Sequence, residues 1–426
     1  MPQTKTHPRP LTPSAVPSVD NGHRPESVNG GHARGARRLA EAIKDARQIM
    51  FDAPWVAENP NPEQERATAE RQLKHQLAAA LDQGFVLHDE RQPELRLLDQ
   101  HNQFGLVNSD NRYLIANIET PGTYTLRGRR GTSADLQIQL GGGGIADANL
   151  DPVSLLTLAD LVVEEDDSFV ITISDTDPGK NWLRNTNGDL KAKNILIRES
   201  FMDWNTEVGT TWYLERTDTR GMPSPLPDRD LVNDQYERAS QYLVDSARTW
   251  VELVAGLRGR LPEGGLTPPR ESKLPGQYTS SGLFPIRPDR VFIITLKKAP
   301  ARYQAVQVGD LWFNGLDFCH RQTSLTLSQA RQSSDGLYRL VLSARDPGVA
   351  NWLDPAGATT AFMYVRWQGL RQPCTLDASD TPQVCDVPFD QILEHLPDDE
   401  SNFSAEERVE QLASRQASGL RNPRAF

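Results

Sequence analysis

Cysteine is scarce in this chain, long apolar runs are missing, and positive charge is in deficit. Three cysteines, Cys319, Cys374 and Cys385, are too few for a disulfide scaffold and predict a reduced, cytoplasmic protein. Cys374 and Cys385 bracket a polar loop and could be bridged in an oxidising compartment. No stretch approaches the roughly 20 apolar residues that a spanning helix needs, so no membrane span is expected. Lys and Arg total 46 against 57 Asp and Glu, a net charge of −11, with the basic residues interspersed among acids. Nucleic acids are held by clustered cations that displace counterions, so no nucleic-acid partner is expected. Metal-binding patterns are absent as well. His75, His88, His101, His320 and His395 are scattered, with no His-x-His or His-Glu-x-x-His, and the acidic run from Asp160 to Asp167 lacks the glycine of an EF-hand loop. Gly141 to Gly144 follows a strand but has neither a phosphate-loop ending nor dinucleotide spacing, and reads as a wide turn. No Gly-x-Ser-x-Gly elbow occurs. No metal and no cofactor are therefore expected.

Turn chemistry is plentiful: 30 Pro and 30 Gly punctuate the 426 residues. That length predicts two or three domains with sizeable cores. Residues 1–35, rich in Pro, Ser, Asn, Gly and His and without the apolar stretch of a secretory signal, read as a disordered tail. An N-terminal helical segment follows over 36–104. Leu39, Ile43, Ala46 and Met50 make one amphipathic stripe; Leu73, Leu77, Ala80 and Leu81 make a second, between Pro62 and Asp82.

From Phe85 onward the period changes to two. Segments such as 113–118, 123–128 and 136–140 alternate apolar with polar and are separated by Pro-Gly and Arg-Gly turns, so 105–220 reads as a first β unit. Residues 221–290 read as a linker carrying a long helix, capped by Asn233 or Asp234, with Tyr236, Leu243, Ala247, Trp250, Val251, Val254 and Leu257 on one stripe. A second β unit spans 291–372, and 373–426 reads as loop and a final helix opened by a Ser404/Glu407 capping box. The fold class expected is mainly β with helical additions: two tandem antiparallel sandwich-like or jelly-roll-like units, N-terminal helices and a bridging helix.

One signature occurs twice. Asp177-Pro-Gly-Lys-Asn-Trp-Leu183 reappears as Asp346-Pro-Gly-Val-Ala-Asn-Trp-Leu353, each after an apolar strand, and Arg198 and Arg366 close matching apolar runs downstream. These repeats suggest an internal duplication. With Asn108-Ser-Asp-Asn-Arg-Tyr113 and Gly128-Arg-Arg-Gly131 before the first copy, and Leu311-Trp-Phe313 and Arg321-Gln-Thr-Ser-Leu325 before the second, the chain resembles a bacterial family carrying the domain of unknown function numbered 1214. The resemblance covers roughly 108 to 368. It implies a β-sandwich-like fold with helical additions and implies no activity.

In Asp-Pro-Gly the proline fixes φ and the glycine supplies a left-handed turn. One reading is a strand-to-loop corner with Trp182 and Trp352 as plugs and both Asp side chains capping amides. The other joins Asp177 with Arg198, and Asp346 with Arg366, in polar sites that bind an anion or polar ligand. Read as a strand, Asp317 to Arg321 puts Cys319 and His320 on opposite faces, so they form no nucleophile–base pair; His320 is a candidate acid/base and Arg321 a candidate ligand contact. Trp204 between Asp203 and Glu207 has the aromatic-plus-carboxylate makeup of a sugar site. Each of these has a structural alternative. The resulting expectation is a cytoplasmic bacterial protein binding a small organic ligand in a pocket of the β units. The alternative is a cofactor-independent hydrolase, lyase or isomerase using carboxylate and Arg groups at the two corners with His320. The sequence leaves the reaction and the oligomeric state open.

Overall fold

The computed structural model describes residues 34–103, 105–143, 152–371, 373–400 and 402–421. The expected tail up to residue 33 and the last glycine of the Gly run, Gly144, lie outside them. Helix α1 (Arg34–Phe51) buries Ala46 and Met50 of its expected stripe, together with Ala42, while Leu39 and Ile43 are half-buried. A short α2 (Pro54–Glu58) precedes α3 (Pro62–Leu81), whose N-cap Asn61 side chain accepts from the Gln64 amide at 3.3 Å. The buried face of α3 differs from the expected stripe. Leu73 and Ala80 are inside, but so are Glu65, Gln72, His75 and Gln76, while Leu81 is exposed.

The first unit contains β1 (Arg96–Leu98), β2 (Asn111–Asn117), β3 (Tyr124–Arg129), β4 (Asp135–Gly141), β5 (Pro152–Thr157), β6 (Ser168–Ser174), β7 (Trp182–Arg184), a small hairpin β8 (Thr186–Asn187) and β9 (Leu190–Lys191), β10 (Asn194–Ser200) and β11 (Thr211–Arg216). A large sheet ordered β1-β2-β10-β4-β5 packs on a small sheet ordered β11-β3-β6-β7. Leu114, Ile138, Ile171 and Ile197 fill the space between them.

The bridging helix α4 (Arg229–Arg258) is about 45 Å long at 1.5 Å per residue. Its cap is Asp228, whose carboxylate accepts from the Leu231 amide at 2.8 Å, so the helix begins upstream of the expected Asn233 or Asp234. The second unit follows: β12 (Arg270–Glu271), β13 (Tyr278–Pro285), β14 (Arg290–Leu296), β15 (Ala301–Gly309), β16 (Ser324–Thr326), β17 (Tyr338–Ser343), β18 (Trp352–Leu353), β19 (Thr360–Leu370) and β20 (Gln383–Pro388). Its sheets run β12-β13-β19-β15-β16 and β18-β17-β14-β20, the same order, strand for strand, as the first unit without its β8–β9 hairpin. The second unit is therefore longer than the expected 291–372. It takes β12 and β13 from the expected linker and β20 from the expected C-terminal loop. Pairing is antiparallel except for β6–β7 and β17–β18, which are parallel because the Asp-Pro-Gly corner carries the chain back alongside the strand it has just left.

The outer faces of both large sheets are covered by one helical layer. Ile115 and Leu196 of the first sheet pack with Leu87, Leu98 and Tyr242. Phe362 and Tyr364 of the second pack with Trp55, Leu243, Ala247 and Trp312. The sandwiches also meet directly. Tyr303 donates to the Asp110 carboxylate at 2.8 Å, Ser200 to Gln368 at 2.7 Å, and Arg302 to Asp135 at 2.8 Å. Helix α5 (Ala405–Arg421) opens with the expected capping box: Glu407 accepts from the Ser404 amide at 2.7 Å, and Ser404 from the Glu407 amide at 3.1 Å. No described helix is long and apolar enough to cross a membrane.

Candidate functional site

Alternation along β10 decides the site. Ile195 and Ile197 point into the sandwich, so Leu196 and Arg198 face outward, toward the helical layer. There Leu98, Tyr113, Leu196 and Arg198 from the first large sheet, Gly105, Leu106 and Val107 from the crossing loop, Trp250 from α4 and Phe313 from the second unit enclose a cavity of about 170 Å³. The lining is apolar apart from the Tyr113 hydroxyl and Arg198. Arg198 donates to the Gln139 side-chain oxygen at 2.7 Å, and among the described residues no carboxylate pairs with it. Burial pulls its guanidinium below the ordinary range, with Tyr113 the one neighbour opposing that shift. An arginine remains charged even so, and a half-buried charge without a counter-ion is costly.

Two features hold the wall shut. Phe313 stacks on Trp250 with centroids 5.3 Å apart and 14° between planes. Phe313 also sits at φ +52°, a left-handed conformation that a bulky side chain adopts only under constraint from its surroundings. Opposite, a side chain at Gly105 would place Cβ 2.6 Å from the Trp250 ring, so glycine is required for that approach.

The second unit repeats the arginine but not the space. Arg366 lies across from Ala305 on β15 and donates to Gln307, two residues on, at 2.7 Å; Arg198 lies across from Gln137 and donates to Gln139. Where the first unit has Leu196, the second has Tyr364, whose ring lies 4.5 Å from the Arg366 guanidinium and packs against Phe313 and Phe362. A ring occupies the place that Leu196 leaves open.

The corners are structural in both halves. Asp177 accepts from the Gly179 amide at 2.7 Å and Asp346 from the Gly348 amide at 2.9 Å. Trp182 and Trp352 donate from Nε1 to the carbonyls of Ser174 and Ser343, which end the preceding strands. Asn181 exchanges two bonds with the backbone of Val162, and Asn351 two with Arg331. The expected pairing of Asp177 with Arg198 and Asp346 with Arg366 is not made. The Asp side chains turn back onto small-sheet corners, whereas the arginines lie on the outer faces of the large sheets. Asp346 pairs instead with Arg408 of α5 at 2.9 Å.

His320 is exposed and bonded to Asp317 at 2.9 Å, and Arg321 to Asp354 at 2.8 Å. Residues 318–320 form a turn rather than the expected strand. Asp177, Asp346 and His320 lie apart, none within bonding distance of another. The sugar-site reading of Trp204 fails on burial. Its ring is 2% exposed, donates to Asp110 at 3.1 Å and is covered by Arg415 at 4.4 Å. Asp203 caps the turn that follows, and Glu207, pushed up to about 6 by burial, accepts from the Met202 amide.

Two other places lack an uncompensated charge. Buried Arg112 and Glu199 satisfy each other together with Ser133 and Thr210, which is a structural tie. A wider groove of about 360 Å³ beside Lys297, Lys298, Trp367 and Cys374 holds no buried charge. Among the described residues no group of three or more His, Cys, Asp or Glu could hold a metal ion. Of the residues singled out from sequence, the cavity uses Arg198. Trp250 was visible only as part of a helix stripe, and Phe313, Gly105 and Tyr113 carried no signal of this role.

No family model matches the chain, and no curated protein does. Among solved structures it is similar to an uncharacterised protein from Burkholderia cenocepacia, with 24% identity and TM-score 0.73 over 84% of this chain and 98% of that one. A protein from Vibrio parahaemolyticus aligns over 75% of this chain and 99% of its own, at 10% identity and TM-score 0.42, too low to carry an argument. The first likeness establishes the fold: this chain shares a mainly β architecture with helical additions with the Burkholderia protein.

Proposed function

We propose that the protein binds a small organic anion, a carboxylate with an apolar body, in the cavity between the first large sheet, α4 and the second unit. The observation that carries this reading is Arg198, a half-buried guanidinium whose protein partner is a neutral amide, lining an otherwise apolar space. A bound carboxylate supplies the missing charge through a charge-assisted, bidentate contact, and the apolar lining takes the rest of the ligand. The matched strand orders and the two Asp-Pro-Gly corners support an internal duplication in which Tyr364 has closed the second copy. The relation to the family carrying domain of unknown function 1214 rests on the shared motifs, and a cytoplasmic location on the small number of cysteines, three in the chain.

Calorimetry with straight-chain carboxylates from butyrate to dodecanoate, and with their amides as uncharged controls, tests the proposal. Acids of fitting length should bind and the amides should not, and Arg198→Met should weaken the acids at least tenfold. Equal binding of acid and amide, or no binding by any acid, overturns it.

A further inference from the structure

A second, tighter space, with two glutamines in its wall, also borders Trp250. Met50, Trp55, Gln72, Gln76, Ala247, Trp250, Val251 and Trp312 surround it, so the Trp250 indole walls both this space and the Arg198 cavity. Gln72 is 0% exposed, and neither its amide nitrogen nor its oxygen has a hydrogen-bond partner among the described residues. The Gln76 oxygen and the Trp55 Nε1 are likewise buried without a partner. Unmade bonds of this kind are costly, and a cluster of them in one place calls for an explanation. As the side chains stand the gap is too tight for a water molecule. The wall this space shares with the Arg198 cavity is Trp250, stacked on Phe313.

We propose that the ligand reaches past Trp250 and places a neutral hydrogen-bonding group, a hydroxyl or an amide, against Gln72 and Gln76. The chemistry follows from the lining. No charged side chain borders the space, which excludes a second ionic end, and it offers donors (Gln72 Nε2, Trp55 Nε1) together with acceptors (Gln72 Oε1, Gln76 Oε1), which a hydroxyl matches by doing both. Apolar Met50, Ala247 and Val251 accept the chain between the ends. The ligand class is then an elongated carboxylic acid, ionic at Arg198 and hydroxylated or amidated at its far end. This inference rests on the Arg198 reading.

Its test compares ω-hydroxy acids from four to twelve carbons with the parent acids by calorimetry, in the wild type, Gln72→Leu and Arg198→Met. At the fitting length the ω-hydroxy acid should bind at least tenfold more tightly than its parent. Gln72→Leu should erase that preference while keeping the parent acid's affinity and leaving the melting temperature unchanged or higher; should it fail to fold, Gln76→Leu serves the same comparison. A preference that is absent at every length, or that survives both glutamine substitutions, overturns the inference while leaving the Arg198 reading standing. Failure of every acid to bind overturns both.

Discussion

Arg198 and Arg366 share a register, a glutamine partner and a face of their sheets, and beside them the first unit carries Leu196 where the second carries Tyr364. The cavity therefore belongs to Leu196 as much as to Arg198. Leu196→Tyr should fill it as Tyr364 fills the other half, abolishing carboxylate binding in calorimetry at a cost of about 1–3 kcal/mol in stability. The two corner aspartates give a second contrast. Asn can make the same turn as Asp, so Asp177→Asn, at an exposed corner with no ion pair among the described residues, should leave the melting temperature nearly unchanged. Asp346→Asn deprives the buried Arg408 of its carboxylate and should cost about 1–3 kcal/mol, a fall of a few degrees. Equal shifts for the two variants would refute the structural role assigned to the Asp346–Arg408 pair. The corners themselves were legible, since Pro and Gly in that order leave few turns available; that Asp346 meets Arg408 was not, because a partner from α5 leaves no mark on local spacing.

Among the elements, α3 shows where pattern reading stops. Its stripe located the helix, but the buried face also includes Glu65, whose carboxylate accepts from Trp312 Nε1 at 2.7 Å and from Asn59 at 2.9 Å. Burial, then the nearby Asp310, pushes Glu65 up to about 7 from an ordinary 4.5. A carboxyl that holds its proton more tightly folded than unfolded makes folding proton-favoured. Its contribution is complete below about pH 4.5 and is lost as pH rises toward 7, by about 1.4 kcal/mol per unit at most. Chemical denaturation between pH 4.5 and 7.5 should show this decline, and Glu65→Gln should flatten it; an unchanged slope would rule Glu65 out as its source. Helix α4 was legible from its aromatic stripe, whereas strands β13 and β20 were not. The Ser, Gly and Pro content of Tyr278–Pro285 reads as loop, and Gln383–Pro388 is a short edge strand with exposed residues.

For the whole molecule, the two sandwiches are tied by Tyr303–Asp110, Ser200–Gln368 and Arg302–Asp135 and roofed by one helical layer. Two units so joined should melt together, and calorimetry should record a single transition; two resolved transitions would refute the coupling. The repeated fold could be read in the sequence because turn and strand patterns are local. The cavity could not, since it forms only where residues from around 98, 198, 250 and 313 converge.

The stack of Trp250 on Phe313 has an optical consequence. An indole that walls both spaces changes its surroundings whenever either fills, so its emission colour and quenching report occupancy directly. The protein has eight tryptophans, and the difference between wild type and Trp250→Phe isolates that one signal, giving a readout of binding that needs no label on the ligand.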